Sequence, residues 1–175
     1  MLSISYEEVF SRFYTKVEAY DLMNLFKDVK MQNAILCSWL HSALSAPYVF
    51  RLFSTITLPE EDDIEDLSNI DNKIDFELEY SINDYSDKNF IIEVLSYGIA
   101  LAWIEPKVNS LVNISQMFGS SAEKWYAQAN HLSEIRALRD DLNIKQRSLI
   151  RDRGYSNNDY LDGKSASSSL RGNTE

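Results

Sequence analysis

Histidine, cysteine, glycine and proline are all scarce in this chain of 175 residues, at two, one, five and three copies. One cysteine, Cys37, excludes an internal disulfide framework and any multi-cysteine zinc site. The few glycines build no phosphate-cradling loop, and there is no G-x-S-x-G, H-E-x-x-H or C-x-x-C pattern. Basic residues are also in deficit. Lys and Arg number 17 against 27 Asp and Glu, a net charge of −10 with a pI near 4.7. Phosphate affinity comes from Lys and Arg, so general nucleic-acid binding is disfavoured. The longest uncharged apolar run, Val94 to Ile104, is too short to span a bilayer. The opening "MLSISYEEVF" has neither the basic nor the apolar region of a secretory signal. A soluble intracellular protein with no membrane partner is expected.

What is present is enough for one folded domain: 45% hydrophobic residues and 12% aromatics can bury a core. Tyr6, Val9, Phe10, Phe13, Tyr14 and Val17 recur at helical spacing and predict an amphipathic helix over 6–20. Ser5 and Glu8 have the spacing of a capping box. The pattern continues over 21–45, with a break near Asp28. Ala34, Ile35, Leu36, Trp39, Leu40, Ala43 and Leu44 cover much of that helix, which makes it a candidate for the centre of the fold. Pro47 should end it.

Between Glu60 and Glu79 stand ten acids and one lysine, a net charge of −9. Residues 59–73 read as an acidic loop. Over 74–82, Ile74, Phe76, Leu78, Tyr80 and Ile82 alternate with polar residues, as in a half-buried strand or hairpin arm. Calcium binding is disfavoured, because "DNKIDFELEY" puts Lys73 at a ligand position and lacks the central glycine of an EF-hand loop. The reading is a solvated acidic face. Its sharper forms are a DNA-mimic surface or the wall of a channel that must not hold DNA, with Glu60, Glu61, Asp62, Asp63, Glu65 and Asp66 as candidates.

Ser86 can cap a helix running to about Glu105, with Pro106 as its stop and apolar residues on two faces. Residues 109–118 are ambiguous. Gly119 suits a helix C-cap, and Ser120 with Glu123 forms another capping box. A long helix from about Ser121 to Arg153 should follow, roughly 50 Å at about 1.5 Å per residue. That exceeds what a compact domain of this size needs, so the helix should project or lie along a partner. Ile135, Leu138, Leu142 and Leu149 continue its apolar seam, which Lys145 interrupts. From Ser156 the chain is polar and Ser/Gly-rich, a tail without a core. The expected fold is mainly α: a helical bundle with one long C-terminal helix and a small β-strand or hairpin element. Residues 1–155 form the domain, and 156–175 form a flexible tail.

Candidate chemistry is thin. His41 lies on the most apolar predicted helix and reads as a packed, hydrogen-bonded core residue. His131 reads as a structural or interface residue, and Cys37 as a small buried hydrophobe. No catalytic, metal-binding or cofactor-binding set emerges, and no enzyme is expected. The interface candidates are Trp125, Tyr126, Ile135, Arg136, Leu138, Arg139, Arg147, Arg151, Arg153, Tyr155 and Tyr160. Residues 143–153 carry Lys145, Arg147, Arg151 and Arg153 against Asp152. This basic end exceeds what the helix dipole explains and suits an acidic partner surface. Tyr155 and Tyr160 flank Asn157 and Asn158 as aromatic anchors in a polar arm.

Three stretches, "SYEEVFSRFYTKVEAYDL", "GIALAWIEPKVNSLVN" and "FGSSAEKWYAQANHLSEIRALRDDL" with the later "RGYSNNDYL", resemble the small head–tail connector (adaptor, neck) proteins of tailed bacteriophages. The resemblance is spread over most of residues 5–161 and rests on phrases rather than a catalytic motif. The acidic loop and the Ser-rich end after Asp162 are least alike. It implies a helical-bundle virion structural protein that forms a ring, usually of twelve copies, beneath the portal. Such a ring extends the DNA channel and offers the stopper or tail-completion protein a landing surface, without specific DNA binding. The implied location is the virion neck, with the host cytoplasm during assembly. The alternative from the residues themselves is an acidic inhibitor or DNA mimic binding through 60–79.

Overall fold

The computed structural model describes residues 1–17, 29–59, 71–117 and 122–156, except for the side chains of 111–117, 122–129 and 156. Most of the described chain is helical, and a three-stranded antiparallel sheet flanks the helices. Chain order is β1 (Leu2–Ser5), α1 (Tyr6–Tyr14), α2 (Val29–Ser45), α3 (Pro47–Phe50), β2 (Phe53–Thr57), β3 (Lys73–Leu78), α4 (Asp84–Met117) and α5 (Ala122–Ser156). Among the described residues no helix is long and apolar enough to cross a membrane.

The strand order is β1-β3-β2, so the alternating segment is the central strand. Ile74, Phe76 and Leu78 point into the core, as their period of two predicts. The expected strand over 74–82 is corrected to 73–78. Beyond Leu78 the backbone bends, leaving Tyr80 and Ile82 65% and 47% exposed. Two further strands flank it. β1 pairs Ile4 with Ile74 and Leu2 with Phe76, and β2 pairs Ile56 with Phe76. Part of the expected loop over 59–73 is also fixed, since the Asn72 carbonyl accepts from the Tyr6 amide at 2.8 Å and Lys73 opens β3.

α1 starts as its sequence predicts, on a complete capping box between Ser5 and Glu8, and buries Tyr6, Val9, Phe10 and Phe13. It ends at Tyr14, short of the expected limit at residue 20. α2 buries Leu36, Cys37, Leu40, Ala43 and Leu44, all on one face. The expectation that it is the central helix is therefore corrected; that place belongs to α4. From Phe90 to Ala100 every residue of α4 except Glu93 and Tyr97 is buried. α4 packs on α1, α2, α5 and β1.

α4 opens earlier than expected. Its cap is Asn83, whose side-chain oxygen accepts from the Ser86 amide at 2.9 Å, in place of Ser86 itself. It also runs through Pro106 to Met117. Proline removes one helical hydrogen bond. Here the exposed ring lies between Ile104 and Val108, both buried, so packing on either side holds the helix on its course. Pro47 begins a new helical turn, at the first position of α3.

α4 comes close to its neighbours at Gly98. A Cβ there would lie 2.5 Å from the Ala43 Cβ of α2 and 3.2 Å from Gln146 Nε2 of α5. Gln146 is fully buried, donates to the Val94 carbonyl at 2.9 Å and accepts from the Tyr48 hydroxyl at 2.9 Å. It stitches α3, α4 and α5 together with its amide satisfied. Gly98→Ala should therefore cost about 1–3 kcal/mol by overpacking, read from urea unfolding followed by circular dichroism. Combining it with Ala43→Gly should be less destabilising than the sum of the single changes. Strict additivity would place the contact elsewhere. Leu95→Ala, at a fully buried position, should cost about 2–5 kcal/mol.

Candidate functional site

Two regions carry the polar and exposed apolar groups that function requires: the outer face of α5, and the end of the bundle where α5 meets the β3–α4 turn. The chemistry in the core is inert by comparison. His41 Nε2 and the Tyr6 hydroxyl are hydrogen-bonded at 2.8 Å, with their rings edge to face. Burial, and next the nearby Cys37, push the Tyr6 hydroxyl well above its ordinary range. Burial also pushes the Cys37 thiol up to about 11. A thiol held in that range stays protonated at neutral pH and is a poor nucleophile. This agrees with reading both His41 and Cys37 as packed residues.

On α5 the chain from Asn130 to Asp141 buries only Leu132, with Ile135 and Arg139 half-buried. Arg136 and His131 are exposed, and so is Leu138 at 43%. Arg139 lies against its neighbour Asp140 at 2.8 Å. Farther along, the inward seam passes through Leu142 and Gln146. Lys145 therefore does not interrupt it: Lys145 faces outward and pairs with Asp141 at 2.7 Å, one turn earlier. Ile144 is 66% exposed on the same outer side. Trp125 and Tyr126 lie on α5 where side chains are outside the described residues.

The basic end of α5 is divided between two roles. Arg147 lies over the Tyr48 ring at 4.7 Å, and Arg151 pairs with Asp152 at 3.3 Å and donates to Ser148. Both are exposed. Arg153, expected at an interface, turns inward instead. It donates to the fully buried Asp87 carboxylate and lies 4.3 Å over the Phe90 ring. Asp87 also accepts from the Ser81 hydroxyl at 2.6 Å and the Ile82 amide at 3.1 Å. The sequence placed Arg153 correctly at a helix end. It carried no sign of the acid at the start of α4 that meets it there, 66 residues earlier.

Beside this pair lies a cleft of about 440 Å³. Leu52, Leu78, Phe90 and Ile150 give it apolar walls beside Tyr80, and Arg51, Glu79 and Arg153 line it with charges of both signs. Sequence reasoning missed it, because its walls come from β3, α4, α5 and the turn before β2, and none is unusual alone. Tyr155, 57% exposed, follows the cleft-lining Gly154. Tyr160 and the six acidic candidates Glu60, Glu61, Asp62, Asp63, Glu65 and Asp66 lie outside the described residues.

The Asp87–Arg153 pair makes stability depend on pH in a definite direction. Burial alone would raise the Asp87 carboxyl. The Ser81 hydroxyl, the Ile82 amide and the Arg153 guanidinium together outweigh it and hold the carboxyl below its ordinary value. A carboxyl depressed in the fold stabilises above the unfolded value of about 3.9, and that contribution disappears as pH falls through the folded value. Unfolding midpoints measured from neutral pH to about pH 2.5 should fall more steeply for wild type than for Asp87→Asn. At neutral pH Asp87→Ala should cost about 3–5 kcal/mol, because the inward-turned Arg153 loses its counter-charge. A loss below about 1 kcal/mol would show that the pair is solvated.

No family model, curated protein or solved structure matches the chain.

Proposed function

We propose that this chain is an assembly protein of the bacteriophage neck, an adaptor whose copies form a ring joining the portal to the stopper or tail. The observation that carries the reading is the outer face of α5. A helix of 35 residues, roughly 50 Å at about 1.5 Å per residue, uses only a narrow strip against its own domain between Asn130 and Asp141. Arg136 and Leu138 in that stretch, and Ile144 just beyond it, are exposed. A helix that serves only its own core has no use for so long a solvated face bearing large apolar side chains. A ring of identical copies does, since a head-to-tail interface covers one face of each copy with a different face of the next.

The resemblance of the three sequence stretches to neck adaptors supplies the partner identities: further copies of the chain, a portal protein, and a stopper or tail-completion protein. The net charge of −10 suits a channel through which DNA passes without binding. In this reading the acidic residues 60–66 face the channel, and the exposed Arg147 and Arg151 meet an acidic partner surface. A DNA mimic acting through 60–79 is less well supported. Residues 73–78 form the central strand of the sheet, and Glu77 is engaged by the N-terminal ammonium at 3.4 Å.

Leu138→Glu with Ile144→Glu tests the reading. Both side chains are exposed, so stability should change by less than about 0.5 kcal/mol for each. Sedimentation and electron microscopy should show rings of about twelve copies with wild type, alone or on portal-bearing heads, and none with the variant. A wild-type chain that stays monomeric at high concentration and ignores portal-bearing heads would overturn the proposal. Raised salt should weaken attachment if Arg147 and Arg151 contribute to it.

A further inference from the structure

Charges of both signs line the cleft beside the Asp87–Arg153 pair, and the fold uses only some of them. Leu52, Leu78, Phe90 and Ile150 give apolar walls to a space of about 440 Å³. Small-molecule sites are of this kind: roughly 300–1,000 Å³, mostly apolar, with a few polar groups that fix orientation. Arg153 is already held there by the Asp87 carboxylate and the Phe90 ring. Arg51 and Glu79 are not so held. Both are exposed and both line the cleft, and among the described residues neither side chain makes an ion pair or a hydrogen bond.

Local structure explains why these two charges share the cleft. The Glu79 amide donates to the Leu52 carbonyl at 2.9 Å, which continues the β2–β3 pairing one residue beyond Phe53 and Leu78. Glu79 and Arg51, the residue before Leu52, are therefore carried on adjoining segments of backbone. A purely anionic ligand would meet a like charge at Glu79, and a purely cationic one would meet a like charge at Arg51. A neutral apolar ligand would desolvate both charges and pair neither. A zwitterion with an apolar body satisfies both, through a charge-assisted hydrogen bond at each end. We propose that the cleft binds a small apolar zwitterion of dipeptide size. Its carboxylate lies on Arg51, its ammonium on Glu79, and its side chains fill the space among Leu52, Leu78, Phe90 and Ile150. A dipeptide carries its two charges at the ends of a short backbone with two side chains between them, so one molecule supplies both kinds of contact. Such binding does not require ring formation, and it holds or fails apart from the assembly reading.

The probes are the dipeptide leucyl-phenylalanine, its N-acetyl form, which lacks the cation, and its C-terminal amide, which lacks the anion. Each is titrated against the full-length chain by ligand-observed NMR. Leucyl-phenylalanine should bind with a Kd in the millimolar range or tighter, and each blocked form at least threefold more weakly. Arg51→Gln should weaken the free dipeptide and the N-acetyl form at least threefold and leave the amide unchanged. Glu79→Gln should weaken the free dipeptide and the amide by a similar factor and leave the N-acetyl form unchanged. Both residues are exposed, so circular dichroism and thermal midpoint should stay those of wild type. Gly154 lines the cleft, and a Cβ there meets nothing within 4 Å. Gly154→Trp should therefore place an indole in the opening and weaken all three probes at least tenfold. No binding of leucyl-phenylalanine, equal binding of the free and blocked forms, or binding indifferent to Arg51→Gln and Glu79→Gln would overturn the proposal. Full binding by a folded Gly154→Trp chain would overturn it as well, by placing the ligand elsewhere.

Discussion

The close approach at residue 98 is the constraint on which the bundle depends. α4 can be surrounded by α1, α2 and α5 only if some point along it lets backbones come near, and Gly98 is that point, against Ala43 and Gln146. Any side chain there would push α2 or α5 outward and open the packing around Leu95 and Ile99, which are fully buried. The glycine carries a conformational cost in a helix of roughly 0.5–1 kcal/mol relative to alanine, offset by burial that no larger residue would permit.

Polar groups then set the register of the helices around that contact. Gln146 reaches the Val94 carbonyl and the Tyr48 hydroxyl, so α5 cannot slide on α4 without leaving a buried amide unsatisfied. Glu93 receives both Arg12 and Lys16 of the α1 region, and Lys16 also lies over the Tyr97 ring at 3.8 Å. Asp87 and Arg153 tie the start of α4 to the end of α5. Buried ion pairs contribute little net stability against an apolar replacement, because both charges must be desolvated. Their effect here is positional. They hold the first and last turns of two long helices together, and the cleft beside them keeps its shape as a result.

α5 therefore serves two surfaces. Its inner strip, Leu132, Leu142 and Gln146, belongs to the domain, while Leu138 and Ile144 are exposed at separate points of its circumference. Apolar residues thus stand on more than one side of the helix, and its pattern looks weakly amphipathic.

Much of the secondary structure was legible in the sequence because it rests on local physics. The Ser5–Glu8 cap, the stripe of Tyr6, Val9, Phe10 and Phe13, and the alternation of Ile74, Phe76 and Leu78 are near-neighbour patterns, and the structure realises them. The strands β1 and β2 were harder to see. Each is only four or five residues long and is held by β3 rather than by its own periodicity. Pro106 misled in the same way, since its local tendency to stop a helix is overcome by the burial of Ile104 and Val108. Composition and local periodicity were enough for a mainly helical domain of strong negative charge with an apolar core and no catalytic motif. Which helix lies at the centre, that Arg153 turns inward to Asp87, and that three elements and a turn enclose a cleft emerge from the folded chain alone. These are contacts between residues far apart in the chain, and their partners are set by packing, which no local spacing encodes.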